Sequence, residues 1–315
     1  MAIEHIKNAE NILVVSHSQP DGDAIGSTIA LSTALLNMGK RVTIYNAGPI
    51  PAIFRFLPSI NLFITDLKEF DVFDTAIILD CADICRVGCQ SEEIAKIPMV
   101  INIDHHATNN CFGTYCVVDS DACSTSEIVY NIIKELNVEF DKAMAFGIYT
   151  GILTDTGSFL FQNTNSAAFA ISAEMVDCGA DPYTVAQYVY AAYSLGRLKL
   201  LNMVLNTIEI SNNGKLSTMF LSQRMLGDTG TQLEDIYGLV NYAKHIEDVQ
   251  VAALIREAGG TGAYHVSLRS SGIVDVGQIA IENGGGGHHS AAGFKAENIS
   301  LSQLKEQIAR IAEAV

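Results

Sequence analysis

Short apolar runs recur through the first half of the chain, each breaking onto a polar loop and then onto a stretch with helical spacing. Residues 11–15 (Asn-Ile-Leu-Val-Val), 41–45 (Arg-Val-Thr-Ile-Tyr), 75–79 (Thr-Ala-Ile-Ile-Leu) and 98–103 (Pro-Met-Val-Ile-Asn-Ile) are β-branched and too short for helices, so they predict buried strands. Between the first two, the pattern from about Ala24 to Met38 predicts a helix stopped by Gly39. Further helices are expected from about Ser124 to Leu136, from about Asp141 towards Ser158, and from Ser166 to Cys178. Ser124 or Thr125 caps the first of these, with Glu127 completing a capping box. Strands alternating with helices predict an α/β fold, a mostly parallel sheet flanked by helices, whose ligands bind at the carboxyl ends of the strands.

The texture changes after a long helical pattern from Pro182 to about Leu205, which contains Gly196, Arg197 and Lys199 and reads as a connector. Residues 207–211 and 215–221 flank Asn212-Asn213-Gly214, a strong hairpin signal. Residues 250–255 and 264–269 read as two more strands joined through Gly259-Gly260-Thr261-Gly262, and a helix from Leu301 to Ala314 closes the chain. The expected organisation is a catalytic domain over 1–185, a helical connector over 186–206 and a smaller α/β domain over 207–315.

Length and composition add limits. The 315 residues, 49% of them hydrophobic and 17% charged, suffice for two cores and argue against disorder. No apolar run spans a bilayer and the amino terminus lacks a signal-peptide pattern, which points to the cytoplasm. Seven cysteines in no framework spacing favour reduced thiols; Cys81, Cys85 and Cys89, four apart, would share a helical face, as a soft metal site or as buried hydrophobes. The net charge of −16 opposes capture of long nucleic acid, so a phosphate ligand must be small or met by a local basic pocket.

The chemistry-bearing residues cluster where strands end. His17, Asp21 and Asp23 surround a Pro20–Gly22 turn, Asp80 ends the third run, and Asp104-His105-His106 ends the fourth. Asp155 sits between Gly151 and Gly157. Imidazoles with several carboxylates suit Mn²⁺, with Mg²⁺ or Fe²⁺ less well matched, whereas structural zinc prefers thiolates. A buried Asp80 needs a metal or a cationic partner, and Arg86, six residues on, is a candidate for that ion pair or for substrate contact. In the second half, Gly284 to Gly287 followed by His288, His289 and Ser290 would form a nest of backbone N–H groups suited to phosphate, with Gly285, Gly286, Gly287, His288 and Ser290 as binding residues and Arg269 as a bidentate partner. His265 shares the strand face of Arg269.

In this order, His17-x3-Asp21-x-Asp23, Asp80, Asp104-His105-His106 and Asp155 resemble the four motifs of the DHH phosphoesterase superfamily over roughly the first 185 residues. The segment from Gly284 to Phe294 is similar to the glycine-rich signature of its DHHA1 partner domain. The resemblance implies two Mn²⁺ ions, one held by His17, Asp21, Asp80 and Asp155 and the other by Asp23, Asp80, His105 and Asp155. It implies that His106 faces the substrate phosphate and that Asp104 orients both imidazoles. It also implies a substrate cleft between the two domains. A chain of this layout most resembles the bacterial oligoribonuclease and 3′-phosphoadenosine 5′-phosphate (pAp) phosphatase group. Cyclic di-AMP or pApA phosphodiesterase, exopolyphosphatase and a nucleotide sensor without turnover stay open. The sensor would be expected to lack a metal ligand, and every ligand position is filled here. The implied partners are short RNA or nucleotides, with no long nucleic acid and no membrane; the sequence is silent on oligomeric state, and a homodimer stays open.

Overall fold

A computed structural model describes residues 1–191, 193–211, 214–260, 262–287 and 289–313. The chain divides into two compact units, 1–192 and 193–315.

The first unit runs α1 (Ala2–Asn8), β1 (Asn11–Ser16), α2 (Gly22–Asn37), β2 (Arg41–Tyr45), β3 (Phe63–Ile64), β4 (Thr75–Leu79), α3 (Ser91–Ile94), β5 (Met99–Asp104), β6 (Tyr115–Val118), α4 (Thr125–Glu135), α5 (Lys142–Asp155), α6 (Ser166–Asp177) and α7 (Pro182–Ala186). Its six strands are all parallel, in the order β3-β2-β1-β4-β5-β6. The chain leaves β1 towards β2 on one side and returns to β4 on the other, so a crevice opens at the carboxyl ends of β1 and β4. Alternate residues of these strands enter two cores: Ile12, Val14, Ile77 and Leu79 pack with the helices, and Leu13, Val15, Ala76 and Ile78 pack on the opposite face with Leu67, Phe73 and Ile94. Burial of both faces explains why the strands read as continuous apolar runs rather than as alternating ones.

Helix α2 crosses α5 at very short range. A Cβ on Gly26 would lie 2.2 Å from the Gly147 carbonyl oxygen, and one on Gly147 would lie 2.5 Å from that of Gly26. This contact brings the start of α2, with Asp21 and Asp23, to the end of α5, where Asp155 is the last helical residue.

Several expectations change. The pattern from Pro182 to Leu205 is not one helix: α7 passes into a turn of π-helix at Gln187–Ala191, and α8 (Leu195–Leu205) starts afresh with Ser194 accepting from the Arg197 N–H. Glu127 reaches past Ser124 to the Cys123 N–H, at 2.8 Å, while Ser124 caps its helix by accepting from Glu127 N. The Cys81–Cys89 segment holds one 3₁₀ turn at Ile84–Val87; Cys81 is buried and Cys85 and Cys89 are exposed, so the three share no helical face.

The second unit continues with β7 (Glu209–Ser211), β8 (Leu216–Leu221), α9 (Gln223–Thr229), α10 (Leu239–Lys244), β9 (Val251–Glu257), β10 (Tyr264–Ser270), α11 (Val276–Glu282), β11 (Gly286–Gly287), β12 (Ala291–Ala296) and α12 (Leu301–Glu313). Its mixed sheet has the order β11-β12-β10-β9-β8-β7, parallel only at β8–β9. One face packs on α11 and α12; on the other, α8, α9 and α10 pack against β8 and β9. The turn residues Asn212 and Asn213, and Thr261 and Ala314, lie outside the described residues. No helix among the described residues is long and apolar enough to cross a membrane.

Candidate active site

The first unit gathers His17, Asp21, Asp23, Asp80, Asp104, His105, His106 and Asp155 at the carboxyl ends of β1, β4 and β5. Three subsets, His17–Asp21–Asp80, Asp23–His105–Asp155 and Asp80–His105–His106, each place candidate ligand atoms within 4.8 Å of one another. Asp80 belongs to two of them. Its backbone is left-handed, with φ of 55°, so β4 ends in a conformation that costs energy and aims the carboxylate into the crevice. His17 Nε2 lies 3.5 Å from Asp80 Oδ2, His106 Nδ1 3.6 Å and His105 Nε2 3.8 Å from its Oδ1, and Thr125 donates its hydroxyl at 3.1 Å. Asp80 is thus met by imidazoles. Arg86 is exposed on the 3₁₀ turn, and imidazoles surround Asp80 where an Arg86 ion pair was the alternative to a metal role.

Asp23 is almost fully buried and accepts from the backbone N–H groups of Thr125 (2.6 Å) and Ser126 (2.9 Å), the first turn of α4. A helix amino terminus stabilises a carboxylate in this position. The Asp104–His106 contact is short, 2.6 Å from Oδ1 to Nδ1. His105 Nδ1 lies 3.3 Å from the Ala122 carbonyl, and Asp104 acts on this ring through its charge.

Residues that the motif pattern does not contain complete the frame. Asn109 Nδ2 donates to Asp104 Oδ2 at 2.6 Å and to Asn102 Oδ1 at 2.8 Å, and Asn102 in turn donates to the Cys81 carbonyl at 3.1 Å. Asp104 is thereby held on both oxygens. Asn163 donates to the Cys123 carbonyl and lies 3.3 Å from Asp155 Oδ2. The only hint of either residue in the sequence is an asparagine in a polar loop shortly after a motif.

Five carboxylates against three imidazoles leave the crevice short of positive charge, and protonation responds. Burial, then the charges of Asp80 and Asp155, push Asp23 well above the usual carboxylate range. Burial also lifts Asp155 to about 7. Burial opposes charge on His105, yet Asp155, Asp23 and Asp80 outweigh it and raise that ring to about 9. For Asp80, burial is outweighed by the His17 hydrogen bond and the nearby imidazoles, which hold it low. Protons here offset part of the carboxylate charge. The nitrogen and carboxylate donors suit a hard or borderline divalent metal that would replace those protons.

In the second unit the glycine run also serves the fold. Gly284 has φ of 75°, its N–H donates to Ile281 and that of Gly285 to Ala280, which is the Schellman stop of α11. Gly286 and Gly287 form the edge strand β11 on β12, where a Cβ on Gly287 would lie 2.5 Å from the Ala291 carbonyl oxygen. Close strand approach and a helix stop therefore account for glycine at Gly284, Gly285 and Gly287. Ser290 accepts, through its carbonyl, from the Ser270 N–H; His288 lies outside the described residues. Arg269 is half-buried on β10, with His265 on the same face.

A model of the DHH family, N-terminal domain, matches residues 11–152, and a model of the DHHA1 domain matches 214–315. Over 320 aligned residues, all of this chain and 92% of the relative, the sequence is 34% identical to the bifunctional oligoribonuclease and PAP phosphatase NrnA of Thermus thermophilus. The chain belongs to the DHH/DHHA1 phosphoesterase family. As a DHH/DHHA1 phosphoesterase, it is a hydrolase of ester bonds. It is also 26% identical to the protein of the same name from Bacillus subtilis, over 92% of this chain and 91% of the relative. The crystal structure of an exopolyphosphatase-related protein from Bacteroides fragilis matches with a TM-score of 0.88 at 27% identity, covering 99% of this chain and 95% of the other.

Proposed function

We propose that this DHH/DHHA1 phosphoesterase hydrolyses short oligoribonucleotides to mononucleotides and removes the 3′-phosphate of pAp, in the cytoplasm and with divalent metal. The observation that carries the reading is the convergence on Asp80 of the two strand-end clusters, His17–Asp21 and His105–His106. Full-length similarity to a bifunctional oligoribonuclease and PAP phosphatase supports the substrate class.

His17, Asp21, Asp80 and Asp155 would hold one cation and Asp23, Asp80, His105 and Asp155 a second, Mn²⁺ for preference and Mg²⁺ as the alternative. Such ions neutralise charge developing at phosphorus and lower the pKa of water. The chain's own residues do the rest. Asp23 is fixed by two N–H groups of α4, so it need not reorganise to bind. Asp104 accepts from His106 Nδ1 and stabilises the ring while its other nitrogen faces a non-bridging phosphate oxygen. Arg269 and Ser290, with the segment from Gly285 to His288, belong to the substrate-binding role of the second unit, and Arg86 to that of the first.

The test is a substrate panel with Mn²⁺: pApA, longer RNA oligomers, pAp, cyclic di-AMP and polyphosphate. Hydrolysis of pApA, short RNA and pAp is expected. Efficient cleavage of cyclic di-AMP or polyphosphate with no attack on short RNA would overturn this choice, and nucleotide binding without turnover would indicate a sensor.

A further inference from the structure

Among the described residues, the apolar cluster on one face of the second sheet takes in no residue of β10 or β12. The cluster formed with α8, α9 and α10 takes in Met219 and Leu221 of β8 and Ala252 and Leu254 of β9, and stops there. Further along the sheet, the same face is formed by His265, Ser267 and Arg269 of β10 and by alternate residues of β12. His265 stands directly opposite Arg256 on one side and Lys295 on the other. Three basic side chains therefore form a row across β9, β10 and β12, with neighbouring Cβ atoms about 4.5–5.5 Å apart.

Such a row costs stability. Like charges placed opposite one another weaken each strand pair, and Arg256 is half-buried besides. Among the described residues none of the three forms an ion pair with a carboxylate, in a chain with 35 acidic and 19 basic residues. Burial lowers the basicity of Arg256; burial, then Arg256 and Lys295, lower that of His265. A face serving stability alone would place a carboxylate within the row. An anion laid across it relieves the repulsion.

Arg269 lies four residues from His265 on β10, about 13 Å at the rise of a strand, with Ser267 and Gly293 as small residues between them. A single phosphate cannot touch both ends. We propose that Arg256, His265 and Lys295 form a second anion subsite, which holds one phosphate of a short nucleic-acid strand while another phosphate of the same strand meets Arg269. The proposal rests on the oligonucleotide reading above and goes beyond it in setting a length preference: a mononucleotide fills one end, and an oligomer reaches both.

The experiment compares wild type with Arg256→Gln/Lys295→Gln in binding AMP and a fluorescent pentanucleotide RNA, across a salt series and without added metal. The double variant should bind the pentanucleotide about tenfold more weakly at low salt and lose about 0.7 from the slope of log K against log salt, as expected for one phosphate contact. Its AMP affinity should be unchanged. Its melting temperature should equal or exceed that of wild type, because repulsion has been removed. Equal weakening towards AMP, an unchanged pentanucleotide affinity, or a lower melting temperature with no length effect would overturn the subsite. Binding is read without turnover, so the two readings separate. A wild type that shows row-dependent RNA binding yet hydrolyses none supports the subsite and sinks the oligoribonuclease reading; hydrolysis with row-independent binding sinks the subsite alone.

Discussion

At Asp80 the backbone turns with a positive φ and the carboxylate meets three imidazoles, so charge and geometry are both concentrated in one side chain. Asp80→Asn keeps the shape and removes the charge; turnover should fall by roughly 10³-fold or more, since the residue is proposed to serve two cations. Full activity in this variant, measured with saturating Mn²⁺, would contradict the shared-ligand assignment. Asn109 offers a subtler test. Its amide occupies Asp104 Oδ2 and leaves Oδ1 for His106, and outer partners of this kind are typically worth about 10–100-fold. Asn109→Ala should lower kcat by that order with little change in KM, and should move the ¹⁵N signals of the His106 ring; unchanged ring signals would reduce Asn109 to a structural role. Arg269→Ala should act in the opposite sense, raising KM while kcat stays near the wild-type value, and an unchanged KM would remove it from substrate binding.

At the scale of elements, the site depends on how closely α2 and α5 approach. Alanine is the better helix former by about 1 kcal/mol, yet Gly26→Ala should destabilise the protein, because its Cβ would lie 2.2 Å from the Gly147 carbonyl oxygen. Forced overpacking of this kind costs roughly 1–3 kcal/mol, and it would separate Asp21 and Asp23 from Asp155; urea denaturation measures the loss and metal titration the separation. A stabilised Gly26→Ala protein would show that the helices can slide apart freely. The strands β1, β4 and β5 were legible because burial on both faces imposes nearly unbroken apolar runs, whereas β2, exposed at Arg41, was legible from its β-branched residues. β6, with exposed Cys116 beside Tyr115, carries no such run and escaped notice. The supposed single helix after Pro182 failed for a different reason: its apolar spacing continues through Tyr193, but Ser194 caps a new start.

For the whole molecule, the acidic balance of −16 extends into the crevice, where five carboxylates face three imidazoles and His105 is raised to about 9 and Asp155 to about 7. Both folded values lie above the unfolded ones, near 6.5 and 3.9. The stability these protons contribute is complete below the unfolded values and is lost as pH rises through the folded ones. Metal-free protein should therefore melt at a lower temperature at pH 9 than at pH 6. Mn²⁺ requires the deprotonated ligands, so its stabilising effect should grow over the same range, and chelation should reverse it. Equal Mn²⁺ stabilisation at both pH values would remove His105 and Asp155 from the ligand set. The motif residues themselves were readable from sequence alone, because strand, polar loop and helix follow one another locally and put His17, Asp21, Asp80 and His105 at strand ends whatever the rest of the fold does. Sequence order equally marked the change to a second unit with its hairpins. Tertiary structure alone decided that Asp104 makes its short contact with His106, that the glycine run ends a helix and edges a sheet, and that Arg256, His265 and Lys295 stand in one row. Those neighbours are separated along the chain and meet only through strand register and helix crossing, which no local pattern of residues encodes.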